Sequence, residues 1–174
     1  MISHLNSLKK LTNFEKLGIS SMSDLLDYIG GLYLIERGAK GSQSTITFRG
    51  GGSSQLIFLV NGMRASNSNI IFDSFNFPFD INDVDFVEID LSPISNRYSF
   101  SATAIVLNFV LKDYDAFSAN IDFKMGDYVD RKIYADINLP VGESNHTLSY
   151  SGEGNDGYLY NTDIKKSKFL YRYS

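Results

Sequence analysis

The sequence contains no cysteine and no tryptophan, and only 3 of its 174 residues are proline. Without cysteine the chain has no disulfide framework, no thiolate nucleophile and no cysteine-based metal site. Apolar runs are also short, because none approaches the ~20 residues that a membrane-spanning helix needs. The first residues lack the apolar core of a secretory signal, so we expect either that the protein stays inside the cell or that its true N-terminus lies upstream.

An excess of charge of one sign is missing as well. The formal net charge is -4, and the lysine and arginine residues are dispersed along the chain. A nucleic-acid partner is therefore not expected, since phosphate binding needs concentrated positive charge. The apolar fraction of 43% is close to the average of globular domains, so we expect a folded chain and not a disordered one.

The first part of the chain is organised around two predicted strands and a glycine-rich bend. Polar and apolar side chains alternate over Ser44–Phe48, which is typical of a half-buried strand. Three glycines follow at 50–52, and within residues 55–60 (QLIFLV) a continuous apolar run follows Gln55. Such a run, bounded by turn residues, predicts a strand covered on both faces. We therefore expect a hairpin that forms the base of a small mixed sheet.

Two short helices are predicted before this hairpin. Thr12 and Glu15 fit a capping box that opens the first helix, and Gly18 ends it. Ser23 precedes a second helical pattern that stops at the glycine pair 30–31. Further strands are predicted at 32–35, 84–91 and 104–111. Together these elements predict an α+β domain over residues 1–114.

From residue 117 the pattern changes to long strands with two different faces. Residues 117–125 (FSANIDFKM) alternate without a fault, over a length that suits a tilted strand crossing a bilayer. More strands are predicted at 129–139, 146–151 and 167–173, with a turn over 140–145. Residues 115–174 are thus expected to form an antiparallel β-meander resembling the start of a transmembrane β-barrel. Its most exposed apolar side should carry Ala119, Ile121, Phe123, Val129, Ile133, Ala135, Ile137 and Leu139.

Four stretches carry a resemblance to a known family. They read TITFRG at 45–50, LVNGMR at 59–64, VEIDLSPIS at 87–95 and VLNFV at 106–110, with Tyr98 between the last two. In this order they resemble the plug domain of TonB-dependent outer-membrane receptors, where the stretches read roughly I-x-I-R-G, L-I-D-G-V-R, V-E-V-x-R-G-P-x-S-x-x-Y-G and G-G-V-I-N-I. In that family barrel strands follow the plug directly, so the resemblance extends from about Leu17 to the C-terminus.

The resemblance implies the N-terminal part of a transporter in the outer membrane of a Gram-negative cell. Its plug would gate the active uptake of a scarce chelate, such as an iron-siderophore or cobalamin, with energy from a TonB-type coupling protein. The family implies no enzyme activity and no cofactor. Plugged barrels close with about 22 strands, whereas four are predicted here, so we expect a fragment, a truncated gene product or one piece of a split barrel.

The resemblance also points to two ligand-binding loops at the outer end of the plug. Their small polar residues leave backbone donors and acceptors free for a bulky polar ligand. The loops comprise Gly51, Gly52, Ser53, Ser54, Gln55, Ser66, Asn67, Ser68 and Asn69. Neither loop has an aromatic or charged anchor, so simple turns remain the alternative.

One arginine matches the latch that holds the plug in the barrel of the family. Arg49 stands in the first Arg-Gly motif, and the family arginine at that place can pair with barrel glutamates. Where a second Arg-Gly is usual, this chain has Leu91-Ser92. Only Arg49 therefore remains as a candidate plug–barrel latch, and no TonB-contacting segment is recognisable before Leu17.

Titratable residues form no catalytic constellation. His4 and His146 lie in separate regions and are expected to be solvated. An acidic run could hold a divalent cation, but its spacing does not match a calcium loop, so a solvated strand face is favoured and no metal site is predicted. The run comprises Asp80, Asp83, Asp85, Glu88 and Asp90.

A soluble binding or interaction module is the alternative function. Alternation alone does not exclude it, because a half-buried soluble sheet alternates too. The two hypotheses differ in what must follow residue 174, since only a transporter needs ~18 further strands. They also differ in the environment of the apolar side of the meander.

Overall fold

The computed structural model describes residues 8–36, 44–51, 56–65, 77–91, 105–126, 130–156 and 163–174. Their contacts divide the chain into two compact units. The first contains the described residues up to 65 together with 84–112, and the second contains residues 77–83 together with 113–174. The boundary between domains at residues 1–114 and 115–174 stays a prediction.

Regular structure in the described residues consists mainly of strands. In chain order the elements are β1 (Leu8–Leu11), α1 (Met22–Tyr28), β2 (Leu32–Glu36), β3 (Ser44–Phe48), β4 (Leu56–Val60), β5 (Met63–Arg64), β6 (Val84–Asp90), β7 (Ile105–Leu111), β8 (Ser118–Met125), β9 (Arg131–Val141), β10 (Ser144–Asn155) and β11 (Ile164–Tyr173). Short 3₁₀ helices lie at Phe14–Leu17 and Ile81–Asp83. No helix among these residues is long and apolar enough to cross a membrane.

Five strands of the first unit form a mixed sheet in the order β1-β6-β7-β4-β5. β4 runs parallel to β7, and the other neighbours are antiparallel. Ile57 and Leu59 of β4 pack with Val106 of β7. On the opposite face of β4, Phe58 stacks on Phe109 with ring centroids 6.3 Å apart. Both faces of β4 are buried, which confirms the prediction for the apolar run.

The predicted hairpin around the glycine bend is wrong. The strand at Ser44–Phe48 forms as β3, but it pairs antiparallel with β2 in a separate two-stranded sheet. Leu34 lies opposite Ile46 in this pair, and Leu32 lies opposite Phe48. Alternation identified the strand correctly, but it contains no information about which strand lies beside it.

Helix α1 begins two residues earlier than the sequence pattern predicted. Its N-cap is Ser21, whose side chain accepts a hydrogen bond from the Asp24 amide at 3.1 Å. In return Asp24 Oδ2 accepts from the Ser21 amide at 2.9 Å, which completes a capping box. Leu25 and Leu26 are buried by the helix and contribute to the core of the first unit.

The capping box predicted at Thr12 does not form. A 3₁₀ helix starts at Phe14, and Asn13 at its N-cap makes no side-chain capping bond. The predicted end is correct, since Gly18 stops this helix with a left-handed φ of 70°. Thr12 instead accepts a hydrogen bond from the Asn13 side chain at 3.2 Å.

The second unit contains the predicted antiparallel meander. Its four strands lie in the order β11-β10-β9-β8, so each strand neighbours the next one in the chain. β10 and β11 are longer than predicted, whereas β9 keeps its predicted length but ends two residues later, at Val141, and β10 begins at Ser144. The turn predicted over 140–145 is thereby reduced to Gly142 and Glu143, and Gly142 has a φ of 65°.

The two faces of the meander differ in character. We call the side with exposed apolar residues the outer face; Ile121 on it is 79% exposed. The outer face carries Ile121, Phe123, Met125, Ile133, Leu139, Leu148, Phe169 and Tyr171. The inner face buries polar residues, namely Tyr134, Asp136, Asn138, Thr147, Ser149 and Ser151. The predicted exposed apolar side is confirmed, although Val129 lies outside the described residues.

Candidate functional site

The first predicted ligand loop begins at Gly51, directly after β3. The Gly51 amide donates to the Phe48 carbonyl at 2.8 Å, and Gly50 between them has a left-handed φ of 80°. The remaining residues of this loop, Gly52, Ser53, Ser54 and Gln55, lie outside the described residues. So do Ser66, Asn67, Ser68 and Asn69 of the second loop.

A polar network holds the hairpin of β4 and β5, which precedes the second predicted loop in the chain. Asn61 has a φ of 48°, and its Oδ1 accepts from the Leu111 amide at 2.9 Å. The Gly62 amide donates to Asn108 Oδ1 at 2.9 Å, and Asn108 Nδ2 donates to Glu88 Oε2 at 2.8 Å. The turn between β4 and β5 is thus attached to β6 and β7. This role of Asn108 was not predicted from the sequence. A single polar residue within the apolar strand sequence IVLNFVL could have indicated a hydrogen-bonding position.

Arg49, the candidate latch, has an unusual backbone conformation. Its φ is 48°, and its amide donates to the Gly31 carbonyl at 2.9 Å. The guanidinium carbon lies 5.0 Å from the centroid of the Phe48 ring, within the range of a cation–π contact. The side chain is exposed, so its planar donors are available to a carboxylate. The pairing with a barrel glutamate stays a prediction.

The second unit buries a cluster of charged and polar side chains that the sequence did not predict. It lies where the Phe77–Asp83 segment packs with strands β9, β10 and β11. Phe77 and Phe79 are 2% and 1% exposed, with ring centroids 5.1 Å apart. These two rings give the segment an apolar core, while its carboxylates contact the inner face of the meander.

Asp80 is at the centre of this cluster. Its Oδ1 lies 2.9 Å from Lys132 Nζ and accepts from the Asn82 amide at 3.1 Å. Its Oδ2 accepts from Ser151 Oγ at 3.0 Å. The Asp80 and Lys132 side chains are only 7% and 15% exposed, so both charges are largely withdrawn from water. Burial of such charges is tolerated when they are paired and hydrogen-bonded, as they are here.

Asp83 makes a second connection to the meander. Its Oδ1 accepts from the Tyr134 hydroxyl at 2.8 Å, and its Oδ2 accepts from the Asp80 amide at 2.7 Å. A third connection runs from Lys168 Nζ to the carbonyl of Phe79 at 3.3 Å. The Phe77–Asp83 segment therefore contacts β9, β10 and β11 through different side chains.

Further along the inner face, polar groups satisfy one another. Asn138 donates to the Ala116 carbonyl at 2.8 Å and accepts from Thr147 Oγ1 at 2.9 Å. Burial, together with the charge of Asp136 and a hydrogen bond to it, raises the pKa of Tyr114 to about 12. The Tyr114 hydroxyl is therefore protonated at neutral pH. This arrangement can hold protein segments together, but it pairs no nucleophile with a base.

The acidic run is not the solvated strand face that was predicted. Asp80 and Asp83 are 6% and 3% exposed, because they face the meander, while Asp85 is exposed. Within the described ranges no three histidine or acidic side chains lie close enough to hold a metal ion. His146 lies on the outer face, with Nδ1 2.8 Å from the Tyr171 hydroxyl, and His4 lies outside the described residues.

Comparison with protein families identifies the first unit. Residues 9–106 match the family model of the TonB-dependent receptor plug domain, which is more than half of the chain. The chain belongs to this family. The plug-domain match, together with the meander that follows it, confirms the predicted family and fold class.

Solved receptors share the fold of the plug and the meander. The pyoverdine outer membrane receptor FpvA from Pseudomonas aeruginosa PAO1 gives a TM-score of 0.76 at 13% identity, covering 95% of this chain and 24% of that one. The ferric yersiniabactin uptake receptor FyuA from Yersinia pestis gives 0.72 at 17% identity, covering 95% and 28%. The alcaligin outer membrane receptor FauA from Bordetella pertussis gives 0.73 at 20% identity, covering 97% and 29%.

These likenesses establish the fold of the plug domain and of the strands after it. The chain spans about a quarter of the length of the solved receptors that it matches. Ligand binding, partner binding and transport are properties of whole receptors.

Proposed function

We propose that this plug domain and its meander are the N-terminal part of an outer-membrane transporter that takes up an iron-siderophore. The observation that carries the proposal is the apolar outer face of the meander. Three receptors with the same fold carry the names of pyoverdine, yersiniabactin and alcaligin, which favours a siderophore over cobalamin. A TonB-type protein would supply the energy that moves the plug.

The outer face supports a membrane location through its exposed side chains. Ile121, Phe123 and Phe169 are 79%, 59% and 70% exposed, and all three point away from the polar inner face. Wall strands of outer-membrane barrels have this apolar-outside, polar-inside pattern. In water the same surface would be an aggregation site, whereas acyl chains would cover it favourably.

Strand pairing supports the same proposal. Among the residues that the structure describes, β8 and β11 each have one neighbouring strand in the meander, so their outer edges present backbone donors and acceptors. Within hydrocarbon each unpaired group costs several kcal/mol, and only further strands at both edges can satisfy them. We infer that the working protein provides such strands and closes the wall.

The ligand site of the plug is proposed to lie on its two polar loops, Gly51 to Gln55 and Ser66 to Asn69. The described residues next to these loops are held by the Gly51 bond to Phe48 and by the Asn61 and Asn108 bonds in the turn that precedes β5. Arg49 is proposed as the latch that pairs with a wall carboxylate.

The alternative is a soluble plug-like binding module without transport activity. It would require the outer face to be covered by protein or to remain in water. A chain that purifies as a monodisperse monomer without detergent would support this alternative. Recovery only in the outer-membrane fraction, with detergent needed for extraction, would support the transporter.

Ligand binding is tested with bulky substitutions in the loops of the protein as cells produce it. Gly52→Trp and Ser68→Trp should each weaken binding of the ferric siderophore at least about tenfold, while the protein stays in the outer membrane. Gly30→Trp is the matched control, because open space surrounds Gly30. Unchanged affinity in both loop variants would show that the loops are only turns.

A further inference from the structure

The Phe77–Asp83 segment belongs to two descriptions of the chain at once. It lies inside residues 9–106, which match the plug-domain family. Its contacts, however, place it in the same compact unit as the meander and not with the plug sheet. The next residue in the chain, Val84, begins β6 of that sheet. The segment therefore belongs to the plug domain by sequence, but its contacts are with the strands of the meander.

The attachment to the meander is made by side chains with opposite charge. Asp80 is on the segment, and Lys132 is on β9, with 2.9 Å between Oδ1 and Nζ. Ser151 of β10 donates to the other oxygen of Asp80 at 3.0 Å. Because the Asp80 and Lys132 side chains are 7% and 15% exposed, salt and water screen this ion pair far less than a surface pair.

The segment is also stiff, which makes it suitable for holding its position. The Asp80 amide donates to Asp83 Oδ2 at 2.7 Å, and the Asp83 amide donates to the Asp80 carbonyl at 3.0 Å. The Asn82 amide donates to Asp80 Oδ1 at 3.1 Å. The two carboxylates that face the meander thus also close the turn of the segment. Loss of the meander contact would loosen the turn, and loss of the turn would misplace the carboxylates.

We propose that the Phe77–Asp83 segment is an anchor, which stays bound to the wall strands while the rest of the plug domain is displaced. Asp80 and Lys132 form its lock, and Asp83 with Tyr134 positions it. The proposal rests on the proposed function, because a plug must move for an anchor to matter.

Hydrogen exchange of the whole 174-residue chain in detergent micelles tests the anchor without any ligand or transport. Under increasing denaturant, the amides of Asp80, Asn82 and Asp83 should keep their protection after the amides of β6 and β7 have lost it. They should open together with β9 and β10. Exchange of these three amides together with β6 and β7 would overturn the proposal.

Paired lysine substitutions identify the lock. Lys132→Met should speed the exchange of the Asp80, Asn82 and Asp83 amides at least about tenfold, because a buried carboxylate loses its counter-charge. Lys124→Met is the control, since Lys124 lies beside Lys132 in the sheet but pairs with Asp122 at about 40% exposure. It should change these rates less than about twofold.

Equal rates in both variants would overturn the assignment of the lock. If Lys132→Met fails to fold, Ser151→Ala is the second variant, because it removes one hydrogen bond to Asp80. It should raise the exchange rates of the same three amides severalfold. Unchanged exchange rates would again contradict the proposal. A failed uptake assay would leave these exchange results standing, so failure of the anchor and failure of the proposed transport function are distinguishable.

Discussion

Removal of the Tyr134 hydroxyl should destabilise the second unit. Tyr134→Phe keeps the ring, which is 4% exposed, and deletes the donor that lies 2.8 Å from Asp83 Oδ1. Asp83 is 3% exposed, so water cannot replace the lost partner without a rearrangement. A hydrogen bond to a charged group contributes about 1.5–3 kcal/mol. At about 1.4 kcal/mol per factor of ten, the unfolding equilibrium constant should rise by roughly 10- to 150-fold.

Tyr150→Phe is the matched control on the neighbouring strand. Its ring packs against Phe169 with centroids 4.8 Å apart, and its hydroxyl has no hydrogen bond within the described part of the chain. We expect a change within about 0.5 kcal/mol. The assay is equilibrium unfolding by urea in detergent micelles, followed by circular dichroism. If the two variants unfold alike, the buried bond between Tyr134 and Asp83 does not stabilise the unit as reasoned.

Three further predictions concern the first unit. Ser21→Ala should cost about 1 kcal/mol in urea unfolding. Burial raises the pKa of Asp24, but hydrogen bonds from Ser20 and Ser21 outweigh this effect and lower the pKa below 3.8. The ionised Asp24 side chain therefore stabilises the folded state above pH 3.8, and this contribution is lost as the pH falls through the folded pKa. Asp24→Asn should remove this loss of stability at acid pH. Gly31 has a φ of 90°, and a Cβ at this position would lie 3.1 Å from Phe48 Cε2. Gly31→Ala should therefore lower the free energy of unfolding by ~1–3 kcal/mol. Gly30→Ala should not, because a Cβ at Gly30 would meet nothing within 4 Å.

Strands were predictable from the sequence because side-chain alternation is a local property. The fault-free pattern of residues 117–125 became β8, and the run at 55–60 became β4. Arg131 interrupts the alternation of the next strand, because it is charged at a position where an apolar residue would continue the pattern. It lies at the first position of β9 and pairs with Asp156 at 3.4 Å. The pattern therefore predicted where these strands lie in the chain and which face of the sheet each of their residues presents.

Strand partners and the buried cluster were not predictable, because they depend on residues far apart in the chain. β3 pairs with β2 rather than with β4, and alternation is the same in either case. Asp80 contacts Ser151, which is 71 residues away, so nothing near Asp80 in the sequence distinguishes it from a solvated carboxylate. Local patterns can also fail. Thr12 and Ser21 both fit the capping-box pattern, but only Ser21 forms a capping box.

The central claim is that lipid covers the outer face of the meander, and the absence of cysteine permits a direct measurement. Ile121→Cys and Asn120→Cys place single labels on opposite faces of β8, in outer-membrane vesicles from cells that produce the protein. A lipid-borne nitroxide should quench a fluorophore at position 121 strongly and one at position 120 weakly. Equal quenching at both positions, or recovery of both variants in the soluble fraction, would contradict the claim.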